Sequence, residues 1–431
     1  MTPQILPRLD TSVPALIVKL SQYPLSAGGL GAIRSLGRLG VPVCAVTEDN
    51  WTPAARSRHL QRRFVWATTG LEKPERLVEG LIDIGRQIGR PAVLIPTDDE
   101  AAVLIAEHAS DLRGPFLVQD GQPSLPRRLA SKQGLHELCL THDIPTPRSW
   151  LPTNISELDK IASQARFPVV VKNLEPFVRL RAKIVPFTTR FDTAEELLSA
   201  ALRWEAKFSV IVQEYLPRET TVDWGVASYY DRDSNPLVQF TGVKLRSYPP
   251  QAGMATCEQS EDNPDLKQIT TQLVKGVGYQ GLLDLDWRYD QRDGRYYLLD
   301  FNPRLGAQFR TFEDAAGVDA VRAMHLDLTG RTITHTDQVD GRRLIVENLH
   351  AASVLTSPRG RRPPPLPVTI SEFAWWNRDD PIPAAVMLLR SVVPLLNWLK
   401  RLRRERGSAP SLQSLTSMNS ESNAENGSDV T

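Results

Sequence analysis

Along the first 120 residues, short apolar runs alternate with glycine-marked turns and amphipathic stretches. Ala15–Leu20 (ALIVKL) reads as a strand. A loop over Ser21–Gly29 leads into a helix over Leu30–Leu39, which Gly40 ends, and Val41–Val46 starts a second strand. Further on, Ala92–Ile95 reads as a strand, Thr97-Asp98-Asp99-Glu100 as a helix N-terminus, and Ala101–His108 as the helix. Strands alternating with helices predict a parallel sheet covered on both faces, so residues 10–122 are expected to form a doubly wound α/β domain.

The pattern then changes. Ser131-Lys132-Gln133-Gly134 opens a helix to Leu140, which Asp143-Ile-Pro-Thr-Pro147 terminates. Phe167–Lys172 (FPVVVK) is a buried strand ending in a lysine, and Val210–Leu216 (VIVQEYL) is a strand passing into an extended linker. Phe240–Arg246 alternates so that Lys244 and Arg246 share one face of a strand. Two further strands, Leu282–Tyr289 and Tyr296–Phe301, flank Asp293-Gly294, the pair a tight hairpin turn prefers. Asp286 lies late in the first of these; Asp300 and Asn302 stand two apart at the end of the second, so they share a face. Pro303 ends the strand, and Arg304 follows it.

This hairpin carries the chemistry. Carboxylates at hairpin ends are ordinarily solvated, but these are set in strongly apolar strands (LLDLDW, YYLLDF), where a buried acid needs a partner or a metal. Two carboxylates and an amide oxygen are the hard donors that suit Mg²⁺, which completes its shell with water and nucleotide phosphates. A lysine closing an apolar strand is commonly an edge residue with its ammonium in water. Lys132 and Lys172 can equally supply the fixed point charges that phosphates need. The backbone of the 213–216 linker can pair with an adenine edge, with Glu219 and Asp223 as ribose acceptors.

At 431 residues the chain should divide into two or three domains. A net charge of +1 gives no general case for nucleic acid. Cys44, Cys139 and Cys257 are scattered and odd in number, which argues against a disulfide framework or zinc site and for a reducing cytoplasm. The N-terminus lacks the charged start and apolar run of a signal peptide, and nothing before residue 380 is apolar enough to span a bilayer. The turn Ala27-Gly28-Gly29-Leu30-Gly31 departs from the dinucleotide spacing, so tight packing is the better reading than an NAD-linked oxidoreductase. Cys257 has no histidine near it in sequence and reads as packing rather than as a nucleophile.

The order of these parts resembles the ATP-grasp superfamily over about residues 12–330. The residues that carry the resemblance are the lysine before a helix ending in DIPTP, the strand ending in lysine, the linker QEYL and the hairpin segment LLDFNPR. The resemblance implies an α/β and α+β chain. A doubly wound parallel-sheet domain (10–122) would precede a two-lobed ATP-grasp domain (123–335). It further implies a ligase that uses ATP and Mg²⁺, or Mn²⁺ in its place, to activate a carboxylate as an acyl phosphate for attack by an amine. Alternatives are a nucleotide-binding regulatory protein without turnover, or a kinase. Carried over by position, Lys132 and Lys172 would hold the ATP phosphates. Gln213, Glu214, Tyr215 and Leu216 would hold adenine, with Glu219 and Asp223 toward the ribose. Asp286, Asp300 and Asn302 would hold the metal, Asp284 being the substitute if the first strand is shifted by one side-chain pair. Arg304, with Lys244 and Arg246, would face the transferred phosphate or the acyl phosphate.

One departure stands out. Where the family usually has a glycine-rich loop, Asn173–Lys183 contains no glycine, and Arg179, Arg181 and Lys183 are either substitute clamps or an exposed basic edge. Beyond 335, a proline-rich linker lies in an extension over 336–380, an apolar and basic helix is expected over 381–406, and 407–431 should be disordered. The segment 384–406 is expected to dock on the protein body or on a partner, with an anionic membrane surface as the alternative.

Overall fold

The computed structural model describes residues 7–174, 184–185, 188–204, 208–250, 253–334, 336–356 and 367–391 of the chain. Five short strands form the first sheet: β1 (Ala15–Val18), β2 (Val43–Thr47), β3 (Arg62–Val65), β4 (Ala92–Pro96) and β5 (Phe116–Leu117). They are all parallel, in the order β3-β2-β1-β4-β5. Alternation along β1 sends Ala15 and Ile17 into one core and Leu16 and Val18 into another. The first core also takes Ile33 and Leu36 of helix Ala27–Gly37 and Met324 of helix Ala320–Leu328. The second takes Leu77, Leu81 and Ile84 of helix Pro74–Ile88 and Leu104 of helix Asp99–Glu107. This is the doubly wound sheet that the alternating pattern predicts, with one face shared with a helix from the far end of the chain.

The glycine-rich turn lies inside the first helix rather than before it. A Cβ on Gly28 would come within 3.1 Å of Ala307 Cα, and one on Gly31 within 2.9 Å of the Phe309 ring. The glycines therefore admit the segment Gly306–Arg310, and their space is filled by protein rather than open to a pyrophosphate.

Two further sheets follow. The smaller joins β6 (Ser149–Trp150), β7 (Val169–Asn173), β8 (Thr189–Phe191) and β9 (Val210–Glu214), antiparallel in the order β6-β9-β7-β8. Helices Ile155–Gln164 and Ala194–Ala201 cover it through Leu158 and Leu197, which share a core with Val169, Val171, Val210 and Val212. The larger comprises β10 (Thr221–Tyr230), β11 (Pro236–Tyr248), β12 (Met254–Ser260), β13 (Gly281–Asp290), β14 (Arg295–Asn302), β15 (Arg342–Ile345) and β16 (Ile370–Phe373). Its order is β14-β13-β10-β11-β12-β15-β16, antiparallel except for β15 beside β16. Gly294, with φ +70°, turns β13 into β14.

The C-terminal extension folds back on the first domain. Arg34, in the first helix, donates to Asp380 Oδ2 (2.9 Å) and to the carbonyls of Ala374, Trp375 and Asp380. Residues 382–391 are helical, and Ala384 and Met387 join Ala27, Leu30 and Trp375 in one buried cluster. Up to residue 391 the segment thus docks on the body. The proline-rich linker to Leu366, the rest of the 381–406 helix and the 407–431 tail lie outside the described residues, as do Arg179, Arg181 and Lys183.

Candidate active site

The cavity between the smaller and the larger sheet is where the candidate residues meet. Lys172, Gln213, Glu214, Tyr215, Leu216, Asp223, Lys244, Asp286 and Asp300 line it. The hairpin supplies the acids in register: Asp286 is directly opposite Asp300, and Asp284 opposite Asn302. All four therefore project from one face, since cross-strand partners share a side of the sheet.

Lysines from three other elements converge on these acids. Lys132, the first residue of helix Lys132–Thr141, pairs with Asp300. Its helix starts here because Ser131 caps it, accepting from the Gly134 N–H. Lys172, at the end of β7, is 3.8 Å from the same Asp300 oxygen. Lys244 on β11 pairs with Asp286. Burial opposes ionisation of Asp300, but Lys132 and Lys172 outweigh it and hold the carboxyl down at about 2. Asp286 goes the other way: burial raises it, and Asp284 and Asp300 add to the rise against the pull of Lys244. Burial lowers Lys172, with Asp300 opposing. Burial also works against the charge of Lys244, yet Asp286, Glu258 and Asp284 together raise it.

Arg304 donates to Asp284 Oδ2 (2.8 Å) and stands 3.5 Å from Asp99 of the N-terminal domain. Asn302 uses its amide N–H₂ to hold the Asp284 carbonyl (2.9 Å), so its side-chain oxygen is the atom that could serve a metal. Among the described residues no three acidic, histidine or cysteine side chains are gathered as a metal cage. The donor chemistry nonetheless fits Mg²⁺. Oxygen-only donors stand at adjacent register positions, and burial raises Asp286, with Asp284 and Asp300 adding a crowding of negative charge that a divalent cation would relieve.

Some sequence candidates sit apart. Glu219 is exposed in the short 3₁₀ turn Arg218–Thr220 and is not among the residues that line the cavity with Asp223. Arg246 is not among the lining residues: the β11–β12 register slips between Lys244 and Ser247, and it is Ser247 that lines the cavity with Lys244. Asp223 is present but engaged, accepting from Arg288 Nε at 2.6 Å. The linker backbone is also partly taken: the Tyr215 N–H donates to the Pro168 carbonyl (3.3 Å) and the Leu216 carbonyl accepts from Arg288 (3.1 Å).

Four residues escaped the sequence reading. Arg288 is two residues beyond Asp286 on β13 and so on the same face, a signal that alternation alone could have given. Arg190 stacks on the Tyr215 ring with 4.7 Å to its centroid, and Arg218 donates to Ser247 Oγ (2.8 Å). Glu258 on β12 is paired in register with Lys244, and burial pushes its carboxyl up to about 8. A Cβ on Gly225 would run into the Glu258 carboxylate, so any side chain there would push Glu258 aside. Nothing local in the sequence links Glu258 to the hairpin.

No family model matches the chain. It is 25% identical over 291 residues to a D-aspartate ligase of Enterococcus faecium (strain Aus0004), covering 64% of this chain and 68% of that protein. Among solved structures it resembles an L-amino acid ligase from Bacillus licheniformis, with a TM-score of 0.56 at 15% identity over 75% of each chain. It also resembles the biotin carboxylase domain of the Hydrogenobacter thermophilus 2-oxoglutarate carboxylase, solved with MgADP and bicarbonate. There the TM-score is 0.53 at 14% identity, over 75% of this chain and 71% of that one. A parallel-sheet domain, two antiparallel lobes closing on a cavity, an acidic hairpin with converging lysines and these likenesses together show that the chain has the ATP-grasp fold.

Proposed function

We propose that this chain is an ATP- and Mg²⁺-dependent ligase that activates a carboxylate as an acyl phosphate for attack by an amine, with amino-acid or peptide-like substrates. The observation that carries the reading is the pairing of Asp286 with Asp300 beneath Lys132, Lys172 and Lys244 at one end of the interlobe cavity. The likeness to a D-aspartate ligase supports it and makes aspartate the first carboxylate to test. Three buried free thiols fit a reducing cytoplasm.

A carboxylate is a poor electrophile because its oxygen leaves badly. Phosphoryl transfer from ATP converts that oxygen into phosphate, a good leaving group, and the amine nitrogen then forms the C–N bond as phosphate departs. The protein's work is to align the groups and to neutralise the phosphoryl oxygens. Lys132 and Lys172 supply fixed positive charge, and Arg304 offers a planar donor fork to the acyl phosphate. Asp286, Asp300 and Asn302 would hold Mg²⁺, which supplies further charge neutralisation on the nucleotide phosphates when bound.

A second reading, nucleotide binding without turnover, is favoured by the glycine-free segment after Lys172. The two separate in one assay. ADP release that needs Mg²⁺, a carboxylate and an amine together, with the amide found by mass spectrometry, is the expected result. ATP binding with no ADP release across a panel of amino acid pairs would establish the second reading, and a stable phosphorylated product would point to a kinase.

A further inference from the structure

Two adjacent acids open helix Asp99–Glu107, and their surroundings differ. Asp98 caps the helix: its Oδ1 accepts from the Ala101 N–H (3.0 Å), and its Oδ2 from the N–H groups of Leu20 and Ser21 (2.9 and 2.6 Å). Asp99 is 6% exposed, yet its Oδ1 is buried and accepts no hydrogen bond. Its ion-pair partner is Arg304, whose Nε stands 3.5 Å away, longer than a good hydrogen bond. Lys19, the cation of the loop after β1, is taken by Glu48. A buried carboxylate oxygen without a donor is costly and uncommon in a folded protein, and a ligand that supplies the donor accounts for it.

Position and charge say which ligand. In the first sheet β2 lies on one side of β1 and β4 on the other, so the connections after β1 and β4 part at the C-terminal ends of the strands. Such a switch point leaves a crevice in which open α/β sheets take ligands. Asp99 follows β4 there, and the Leu305 N–H donates to the Pro96 carbonyl (3.2 Å), which sets Arg304 against it. Arg304 uses Nη1 for Asp284 (2.8 Å) and for the Leu305 carbonyl (3.1 Å), and its Nη2 has no partner among the described residues. One guanidinium thus stands between two carboxylates, leaving an excess negative charge beside an unused donor. A ligand that completes both carries a carboxylate for Nη2 and an ammonium for Asp99, as an amino acid does.

An ammonium can come from either substrate, the carboxylate or the attacking amine. A carboxylate partner favours the charged form of an amine, and a charged amine has no lone pair with which to attack an acyl phosphate. Asp99 therefore suits the amino group that must not react. We propose that Asp99 is a specificity residue, holding the ammonium of an amino-acid substrate whose carboxylate Arg304 binds; this deepens the ligase reading and rests on it for the carboxylate.

The test is calorimetric binding of D- and L-aspartate, and of succinate, which lacks the amino group, to the full chain with Mg²⁺ and a non-hydrolysable ATP analogue. The better-bound aspartate should bind at least about tenfold more tightly than succinate, the usual scale for a hydrogen bond to a charged group. Asp99→Asn keeps the side chain's size and should weaken aspartate at least about tenfold but succinate less than about threefold, and the retained succinate binding reports a folded site. With hydroxylamine as the acceptor, aspartyl hydroxamate formation by Asp99→Asn should show the same loss in kcat/KM for aspartate. Equal binding of aspartate and succinate by the unaltered protein, or equal losses for both in Asp99→Asn, would overturn the inference and leave Asp99 as a clasp between domains. Undiminished hydroxamate formation by Asp99→Asn would overturn it too, since the ammonium would then belong to the attacking amine. Selective aspartate binding that depends on Asp99, with no hydroxamate formed by the unaltered protein, would uphold the site and set aside the ligase reading instead.

Discussion

Asp286 and Asp300 face each other across the hairpin, so a change in either alters charge at the centre of the cavity. Asp300→Asn and Asp286→Asn should each lower Mg²⁺-dependent ADP release by roughly a hundredfold or more, because a lost metal ligand removes several kcal/mol of charge stabilisation. Unaltered rates in both variants would remove the metal from this hairpin. The thiols make the opposite case. Burial raises Cys44 and Cys257, and pushes Cys139 up to about 12. At pH 8 the Cys139 thiolate would then be roughly one part in ten thousand. Alkylation of the native protein by iodoacetamide should be slow at all three and fast after unfolding, and Cys257→Ser should keep its activity. Rapid loss of activity on alkylation of Cys257 would make it part of the site.

Between β9 and β10 the chain runs past the interlobe cavity, and Arg288 of β13 holds it there by the Leu216 carbonyl and Asp223. Arg288→Ala should loosen that segment and weaken ATP binding about tenfold by calorimetry. Arg288→Lys should restore little, because one ammonium cannot span two acceptors as a guanidinium does. ATP affinity unchanged in both would mean that the linker is positioned by its strand alone. The same elements explain what could be read from sequence. β13 and β14 announce themselves through period-2 apolar patterning and Asp293-Gly294, all within twenty residues or so of each other. β3 (RRFV) and β16 (ISEF) carry no such pattern; they are strands because Cys44–Thr47 and Arg342–Ile345 lie beside them. Simple alternation puts Arg246 on the face of Lys244, and alternation breaks where the register slips on either side of Arg246. Glu258 meets Lys244 across β11 and β12, and Arg190 stacks on Tyr215 from β8, contacts that no residue pattern along the chain marks.

At the scale of the whole molecule, the first helix and the last described one depend on each other. Asp380 is 1% exposed and surrounded by donors from Arg34, Ser57 and the Arg58 N–H. Arg34→Ala would leave that carboxylate buried without its counter-charge, a change that costs about 3–5 kcal/mol in comparable settings. Thermal unfolding should shift down by several degrees, and residues 367–391 should become protease-sensitive; an unshifted transition would mean that the extension is held by its apolar contacts alone. Arg34 and Asp380 are 346 positions apart. At about 5–20 residues per second, synthesis takes roughly 20–70 s to supply the partner. Throughout that interval Leu30 and Ala27 face water on the nascent chain, and the N-terminal sheet lacks helix Ala320–Leu328 over one of its cores. The parallel-sheet domain therefore leaves the ribosome before the elements that complete it, and a chain stalled before residue 320 would present that open core to chaperones.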